Sequence, residues 1–199
     1  MVEKEQGPEK DEEKEAAVCG QEFMQAYNNS PRKDIKGRGR MLCQLLDDCG
    51  SHARINQPVY VACGQRISIG ENSLVNANCT LDDTERITIG RNTIISPEVR
   101  IYTSFDPICG MENFIPADEA DEDGSAQGKG ITAPVTIGDY VWIGGGSIIL
   151  PGVVIGDSAI IGAGSVVTQS IPNHAIADGN PCQVRTWQDG KLMEKTERQ

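Results

Sequence analysis

Histidine, the side chain that most often transfers protons at neutral pH, is scarce in this sequence. The chain has only two histidines, His52 and His174, which stand far apart in the chain. It has seven cysteines, an odd number, and no two of them have CxxC spacing. We therefore predict no metal site and no disulfide framework, and we expect free thiols in a reducing compartment.

Carboxylates are the abundant reactive groups. The 199 residues include 29 Asp and Glu against 18 Lys and Arg, which gives a net charge of −11. This balance disfavours nucleic acids and anionic membranes as partners, since both require a positively charged surface. The sequence has neither an apolar run of about 18 residues nor a signal-peptide core, so we expect a cytoplasmic protein.

Basic residues are concentrated in one short segment. It contains Arg32, Lys33, Lys36, Arg38 and Arg40. One interpretation is a solvated helix face, and the other is a rim that attracts an anionic ligand.

The elements that must position any site are indicated by a repeat of six residues. Aliphatic side chains recur at every sixth position, and glycine follows four of them. These positions are Ile137, Ile143, Ile149, Ile155, Ile161 and Val167. Helices need apolar spacings of three and four, and ordinary strands alternate by two, so neither explains the pattern. It predicts a solenoid of short strands in which every sixth side chain points into one core.

The rest of the chain divides around this repeat. Residues 1–18 form an acidic leader that we expect to be disordered. Residues 19–50 are predicted to be helical, residues 51–188 to form the solenoid, and residues 189–199 to be a polar tail. A long loop at 104–133 interrupts the repeat and must project from it as an arm, and such loops are usually functional or disordered.

Several motifs in the repeat region are specific. They are Trp142-Ile143-Gly144, Leu150-Pro151-Gly152, Ile161-Gly162-Ala163-Gly164-Ser165, Ile171-Pro172 and Gly179-Asn180-Pro181, with Ile101-Tyr102-Thr103 upstream. In these motifs the sequence resembles the maltose and galactoside O-acetyltransferases of the hexapeptide-repeat acyltransferase superfamily. The resemblance implies a mainly β fold, a left-handed parallel β-helix with three short strands per coil, which assembles as a homotrimer. It also implies transfer of acetyl from acetyl-CoA to a hydroxyl of a small molecule, at sites between subunits.

The catalytic base is where this sequence departs from the family. In the family a histidine opens the long loop, and the matching position here is Asp106, next to Phe105 and Pro107. An unperturbed aspartate has a pKa about 2.6 below that of histidine, which corresponds to roughly 3.5 kcal/mol of proton affinity. Apolar neighbours would raise the pKa of Asp106 and recover part of this difference. We expect Asp106 to act as the base.

The resemblance implies further site residues. The acceptor would be contacted by Asn76, Asp83, Tyr102 and Phe105. The pantetheine channel of CoA would be lined by Trp142, Gly145, Ala163 and Thr168, with Arg185 near the phosphates. Other basic positions of the family read Gln169, Gln183 and Thr186 here. Each of the channel residues also has a purely structural interpretation, as a repeat or corner residue.

Two other functions stay open at this point. The scaffold could have lost acetyl-CoA and use Asp106 as an acid or base in an isomerase, cyclase or dehydratase. Alternatively, the trimer could be non-catalytic and bind a ligand or a protein partner. Binding of acetyl-CoA separates the acetyltransferase from both alternatives, because the fold alone does not decide function.

Overall fold

The computed structural model describes residue 20 and residues 22–105 and 131–187. The acidic leader, the tail and residues 106–130 of the predicted loop lie outside the described residues, and so does Asp106. No helix among the described residues is long and apolar enough to cross a membrane.

Two helices begin the described chain. Helix α1 covers residues 22–29, and helix α2 covers Ile35–Leu45. Asp34 caps α2, because its carboxylate accepts a hydrogen bond from the Gly37 N–H at 2.8 Å. The helices bury Tyr27 and Leu42 against the first coil, where the Tyr27 hydroxyl donates to the Ile55 carbonyl at 2.6 Å. The first strand begins at Asp48, so the helical segment ends before the predicted residue 50.

The solenoid consists of three parallel sheets of short strands. Sheet A contains β1 (Asp48–Cys49), β4 (Ile67–Ile69), β7 (Ile87–Ile89), β12 (Val135–Ile137) and β15 (Val154–Ile155). Sheet B contains β2 (Arg54–Ile55), β5 (Leu74–Val75), β8 (Ile94–Ile95), β13 (Trp142–Ile143), β16 (Ile160–Ile161), β18 (Ala175–Asp178) and β19 (Gln183–Trp187). Sheet C contains β3 (Val59–Val61), β6 (Cys79–Asp82), β9 (Arg100–Tyr102), β14 (Ile148–Ile149) and β17 (Val166–Val167). Five coils contribute one strand to each sheet, and β18 and β19 extend sheet B.

The core is a stack of aliphatic side chains in strict register. Ile69 pairs with Ile89, and Ile89 pairs with Ile137 on the next coil. All three are at most 2 % exposed. The predicted six-residue pattern is thus the pattern of inward positions, and burial of this column stabilises every coil against its neighbours.

Glycine after the inward aliphatic residue is required by the close approach of adjacent coils. A Cβ atom on Gly90 would lie 2.5 Å from the carbonyl carbon of Gly138, which no real side chain tolerates. The left-handed backbone conformation that turns the chain comes two residues later, at Asn92 (φ 53°) and Tyr140 (φ 58°).

Two departures from the simple coil occur. The predicted arm begins as an antiparallel pair, β10 (Ser104–Phe105) with β11 (Ile131–Thr132). At the other end, the chain reverses after β18, and β19 pairs antiparallel with it. This hairpin was not predicted, and it lies at the end of the region predicted to form the solenoid, residues 51–188.

We expect the same substitution to have opposite effects at two glycines. Gly90→Ala forces a Cβ into the backbone of the next coil and should lower the free energy of unfolding by about 1–3 kcal/mol. Gly39→Ala, within α2, has no atom within 4 Å of the new Cβ. It should raise that free energy by about 0.5–1 kcal/mol, through better helix propensity. Urea unfolding of both variants measures the difference, and equal stabilities would contradict this packing.

Candidate functional site

The candidate residues lie at the corners of the solenoid. We number the corners by the sheet that precedes them, so that corner 1 follows sheet A, corner 2 follows sheet B and corner 3 follows sheet C. Residues at equivalent positions of one corner stack along the solenoid axis, because neighbouring strands lie about 4.8 Å apart.

Corner 2 contains the predicted acceptor residue Asn76. It directly follows β5, and its side-chain oxygen accepts a hydrogen bond from the Asn56 amide at 3.0 Å. Its own amide nitrogen donates to the Ile95 carbonyl at 3.3 Å. These two contacts fix the orientation of the Asn76 side chain. They leave one lone pair on its oxygen and one N–H on its nitrogen for a ligand. Asn56 was not predicted as a site residue, although it occupies the equivalent corner position one coil earlier.

Corner 2 also has an open strip beside Trp142, which consists of Gly145, Gly146 and Ala163. The indole is 52 % exposed on the outer face of β13, and its Nε1–H donates to the Ser96 hydroxyl at 3.1 Å. Gly145 and Ala163 follow on successive coils, and no atom lies within 4 Å of the Cβ position of Gly146. The result is an aromatic wall next to a backbone surface without bulky side chains.

Arg185 lies at the far end of corner 2. Its Nε donates to a carboxylate oxygen of Asp178 at 2.7 Å, and about half of each side chain is exposed. This ion pair holds the guanidinium beside the corner, since Asp178 ends β18.

Corner 3 contains two adjacent aspartates with different surroundings. Asp83 is completely buried, and its carboxylate accepts N–H bonds from Ala62 at 3.1 Å, Cys63 at 2.9 Å and Gly64 at 2.7 Å. This placement favours a structural role, in which Asp83 holds the corner of the first coil, over the predicted contact with the acceptor.

Asp82, which the sequence analysis missed, is the aspartate that faces the arm. Its carboxylate accepts hydrogen bonds from the hydroxyls of Ser104 and Thr84, both at 2.7 Å, and it is the register partner of Tyr102. Ser104 and the half-exposed Phe105 form β10. Asp82 therefore anchors the strand that leads directly to Asp106. Alternation along β6 places Leu81 inward and Asp82 outward, a signal that was available in the sequence.

The predicted site residues thus fall into two separate groups. Asn76, Trp142, Gly145, Ala163 and Arg185 lie at corner 2. Asp83, Tyr102, Phe105 and the exposed Thr168 lie at corner 3. The strands of sheet C separate the groups by on the order of 10 Å, given a rise of about 3.3 Å per residue. The described residues of a single chain do not bring the two groups together.

Comparisons with known proteins agree with this architecture. The family described as bacterial transferase hexapeptide (six repeats) matches residues 134–169. The galactoside O-acetyltransferase of Escherichia coli is 34% identical over 170 residues, which cover 85% of this chain and 78% of the relative. The chain belongs to the hexapeptide-repeat acetyltransferase family.

Solved structures of this family have the same fold. A crystal structure of a maltose O-acetyltransferase from Clostridium difficile 630 has a TM-score of 0.76 at 36% identity and covers 87% of this chain and 86% of its own. A galactoside acetyltransferase in complex with coenzyme A has a TM-score of 0.78 at 32% identity, with 92% and 86% covered. The predicted left-handed parallel β-helix is therefore confirmed.

We expect Asp83 to be essential for folding. Asp83→Asn keeps the size of the side chain but replaces one acceptor oxygen by a donor that faces backbone N–H groups. It should lower the free energy of unfolding by about 2 kcal/mol or more. The matched control is Asp178→Asn, whose exposed ion pair should contribute less than about 1 kcal/mol. Chemical denaturation measures both, and an unchanged midpoint for Asp83→Asn would refute the structural role.

Proposed function

We propose that the protein is a CoA-dependent O-acetyltransferase that acts on a hydroxyl of a small, hydroxylated, sugar-like molecule. The observation that carries this proposal is the strip at corner 2, where the exposed Trp142 stands beside Gly145, Gly146 and Ala163. The family relationship supports it, since a galactoside acetyltransferase of the same fold has been solved in complex with coenzyme A.

The strip fits the shape of acetyl-CoA. The pantetheine arm is narrow and extended, and the corner stacks glycine and alanine along the axis beside an indole that is held by Ser96. Arg185 would contact a phosphate through its terminal amino groups, because its Nε is already bound to Asp178. Thr168 would line the same channel from corner 3 of a second copy. Acetyl-CoA supplies the acetyl group as an activated thioester.

The chemistry requires a base, which we assign to Asp106. The acceptor oxygen attacks the thioester carbonyl carbon while Asp106 accepts the hydroxyl proton. The C–S bond then breaks, and the proton passes from Asp106 to the sulfur that leaves. Asn76 would orient the acceptor through its remaining amide hydrogen-bonding capacity, and Tyr102 and Phe105 would contact it at the base of the arm. Positioned bases of this kind contribute about 10²–10⁴ in rate.

The division between corners 2 and 3 supports a homotrimer. Asp106 follows Phe105 at corner 3, whereas Asn76 and Trp142 lie at corner 2, so we propose that a second copy supplies one of the groups. After Arg54, the outer row of sheet B is apolar and consists of Leu74, Ile94, Trp142, Ile160 and Ile176. The outer row of sheet A is polar up to Val154 and consists of Asp48, Ser68, Thr88, Thr136 and Val154. We assign the sheet B face to the subunit contact, and three copies close the ring.

A cytoplasmic location is part of the proposal. The described cysteines Cys43, Cys49, Cys63, Cys79 and Cys182 are free thiols. Burial raises the pKa of the Cys79 thiol to about 11, so this residue stays protonated and unreactive at neutral pH. Such thiols are typical of proteins in a reducing compartment.

Asp106 variants test the function. Asp106→Asn preserves the shape of the residue but accepts no proton, so acetyl transfer should fall by about 10²-fold or more. Asp106→His introduces a base whose pKa lies closer to neutral pH and should increase the rate at pH 7. The measurement is release of CoA from acetyl-CoA with a panel of sugar acceptors.

Calorimetry with acetyl-CoA serves as the control for these variants. Wild type and both variants should bind acetyl-CoA equally well, because the base does not hold the cofactor. Absence of binding in all three would overturn the acetyltransferase proposal. Full activity of Asp106→Asn would instead remove Asp106 from the mechanism and leave the acetyltransferase intact.

The subunit contact can be tested with a matched pair of charges. Ile94→Asp places a carboxylate on the apolar face of sheet B, where burial against another copy would be unfavourable, and should shift the protein from trimer towards monomer. Thr136→Asp introduces the same charge on the exposed face of β12 and should leave the trimer intact. Light scattering at micromolar concentration distinguishes them, and a wild-type monomer of 21.5 kDa would disprove the assembly.

A further inference from the structure

A cavity of about 600 Å³ lies between helix α2 and corner 1 of the first coil. Most of its wall comes from residues 35–43 and residues 49–55, which are adjacent only in the folded protein, and Tyr27 and Asn72 complete it. None of the residues assigned above to the acceptor or to CoA lines it. It is therefore separate from the candidate active site.

The cavity is positively charged in a strongly acidic protein. Lys36 and Arg38 enter it from α2, and His52 and Arg54 enter it from the first coil. None of the described residues that line it is acidic. Two acidic residues near it in sequence have other partners, since Asp34 caps α2 and Asp47 pairs with Arg86 at 2.6 Å. Lys36 and Arg38 of the basic segment thus line the same cavity as Arg54, whereas Asp48 and Glu71, which are next in sequence to lining residues, do not line it.

The guanidinium of Arg38 is only partly satisfied by hydrogen bonds. Its Nη1 donates to the Gln57 side-chain oxygen at 3.0 Å, but its buried Nε has no hydrogen-bond partner among the described residues. A buried, ionised group with an unsatisfied donor is unfavourable. An anion close to the guanidinium would offset this cost, and guanidinium groups bind phosphate and carboxylate well.

We propose that this cavity is a second ligand site, which binds a small molecule with a phosphate or carboxylate group attached to an apolar body. The anionic group lies among Lys36, Arg38 and Arg54. The apolar body contacts Ile35, Leu42 and Ile55, which line the same cavity. The cationic groups attract the anion, and the apolar wall distinguishes this ligand from inorganic phosphate.

Arg38 also connects the cavity with corner 2. Its partner Gln57 is next in sequence to Asn56, which bonds to Asn76. The cavity and the acceptor side of the candidate site are therefore linked by one side-chain hydrogen bond on each side of the Asn56–Gln57 peptide.

Titration calorimetry of the full-length protein with phenyl phosphate, benzoate and neutral benzyl alcohol tests the proposal. We expect phenyl phosphate to bind and benzyl alcohol not to bind. If benzoate binds as well, the site accepts both carboxylates and phosphates. If benzoate does not bind, the site is specific for phosphates. Lys36→Gln and Arg54→Gln should each weaken binding by about fivefold or more. Lys33→Gln changes the same charge on the exposed part of the segment outside the cavity and should leave binding unchanged.

Alkylation of Cys43 tests the position of the ligand. Cys43 is exposed and lines the cavity, whereas Cys63 lies elsewhere. Phenyl phosphate should slow the reaction of Cys43 with iodoacetamide and leave Cys63 unaffected, as followed by peptide mass spectrometry. The proposal is overturned if neither anion binds, if Lys33→Gln weakens binding as much as Lys36→Gln, or if Cys43 is not protected.

Discussion

The stacking of one coil directly on the next is the constraint on which the rest of the structure depends. Inward aliphatic residues such as Ile89 and Ile137 lie over one another in register. Backbone groups at the corners join the coils as well, for example the Tyr140 N–H and the Arg91 carbonyl at 2.8 Å. This spacing leaves no room for a Cβ atom at Gly90. One repeated contact therefore determines the core, the glycines and the turns.

Stacking also determines where chemistry can occur. Inward positions hold the aliphatic side chains of the core. Side chains of other types are therefore found on the outer faces and at the corners. Residues at one corner form a column with a spacing of about 4.8 Å, and such a column suits an extended ligand better than a round one. The column at corner 2 combines Asn76, Trp142 and Gly145, and the arm leaves from corner 3. A catalytic centre that needs both must be assembled from more than one corner.

Much of the fold could be predicted because its signal is local and repeated. The spacing of Ile137, Ile143 and Ile149 predicts both the inward positions and the corners, and the structure agrees. The β18–β19 hairpin was not predicted, since a chain reversal of this kind has no six-residue period. Alternation along β6 distinguishes the outward Asp82 from Asp83, but the hydrogen bonds from the amides of residues 62–64 to Asp83 depend on how two coils stack. The cavity under α2 depends on how a helix docks on a coil, which no periodicity shows.

The two ends of the solenoid are closed in different ways. Helices α1 and α2 cover the first coil, where Tyr27 bonds to Ile55, and at the last coil β19 runs antiparallel to β18. A parallel β-solenoid with bare ends would offer unpaired backbone groups to the ends of other molecules, and copies could join head to tail into fibres. Because the covering elements differ in shape and direction from a coil, a coil of another copy cannot stack on either end as the next repeat would. The elements that cover the two described ends therefore oppose head-to-tail joining of copies along the solenoid axis.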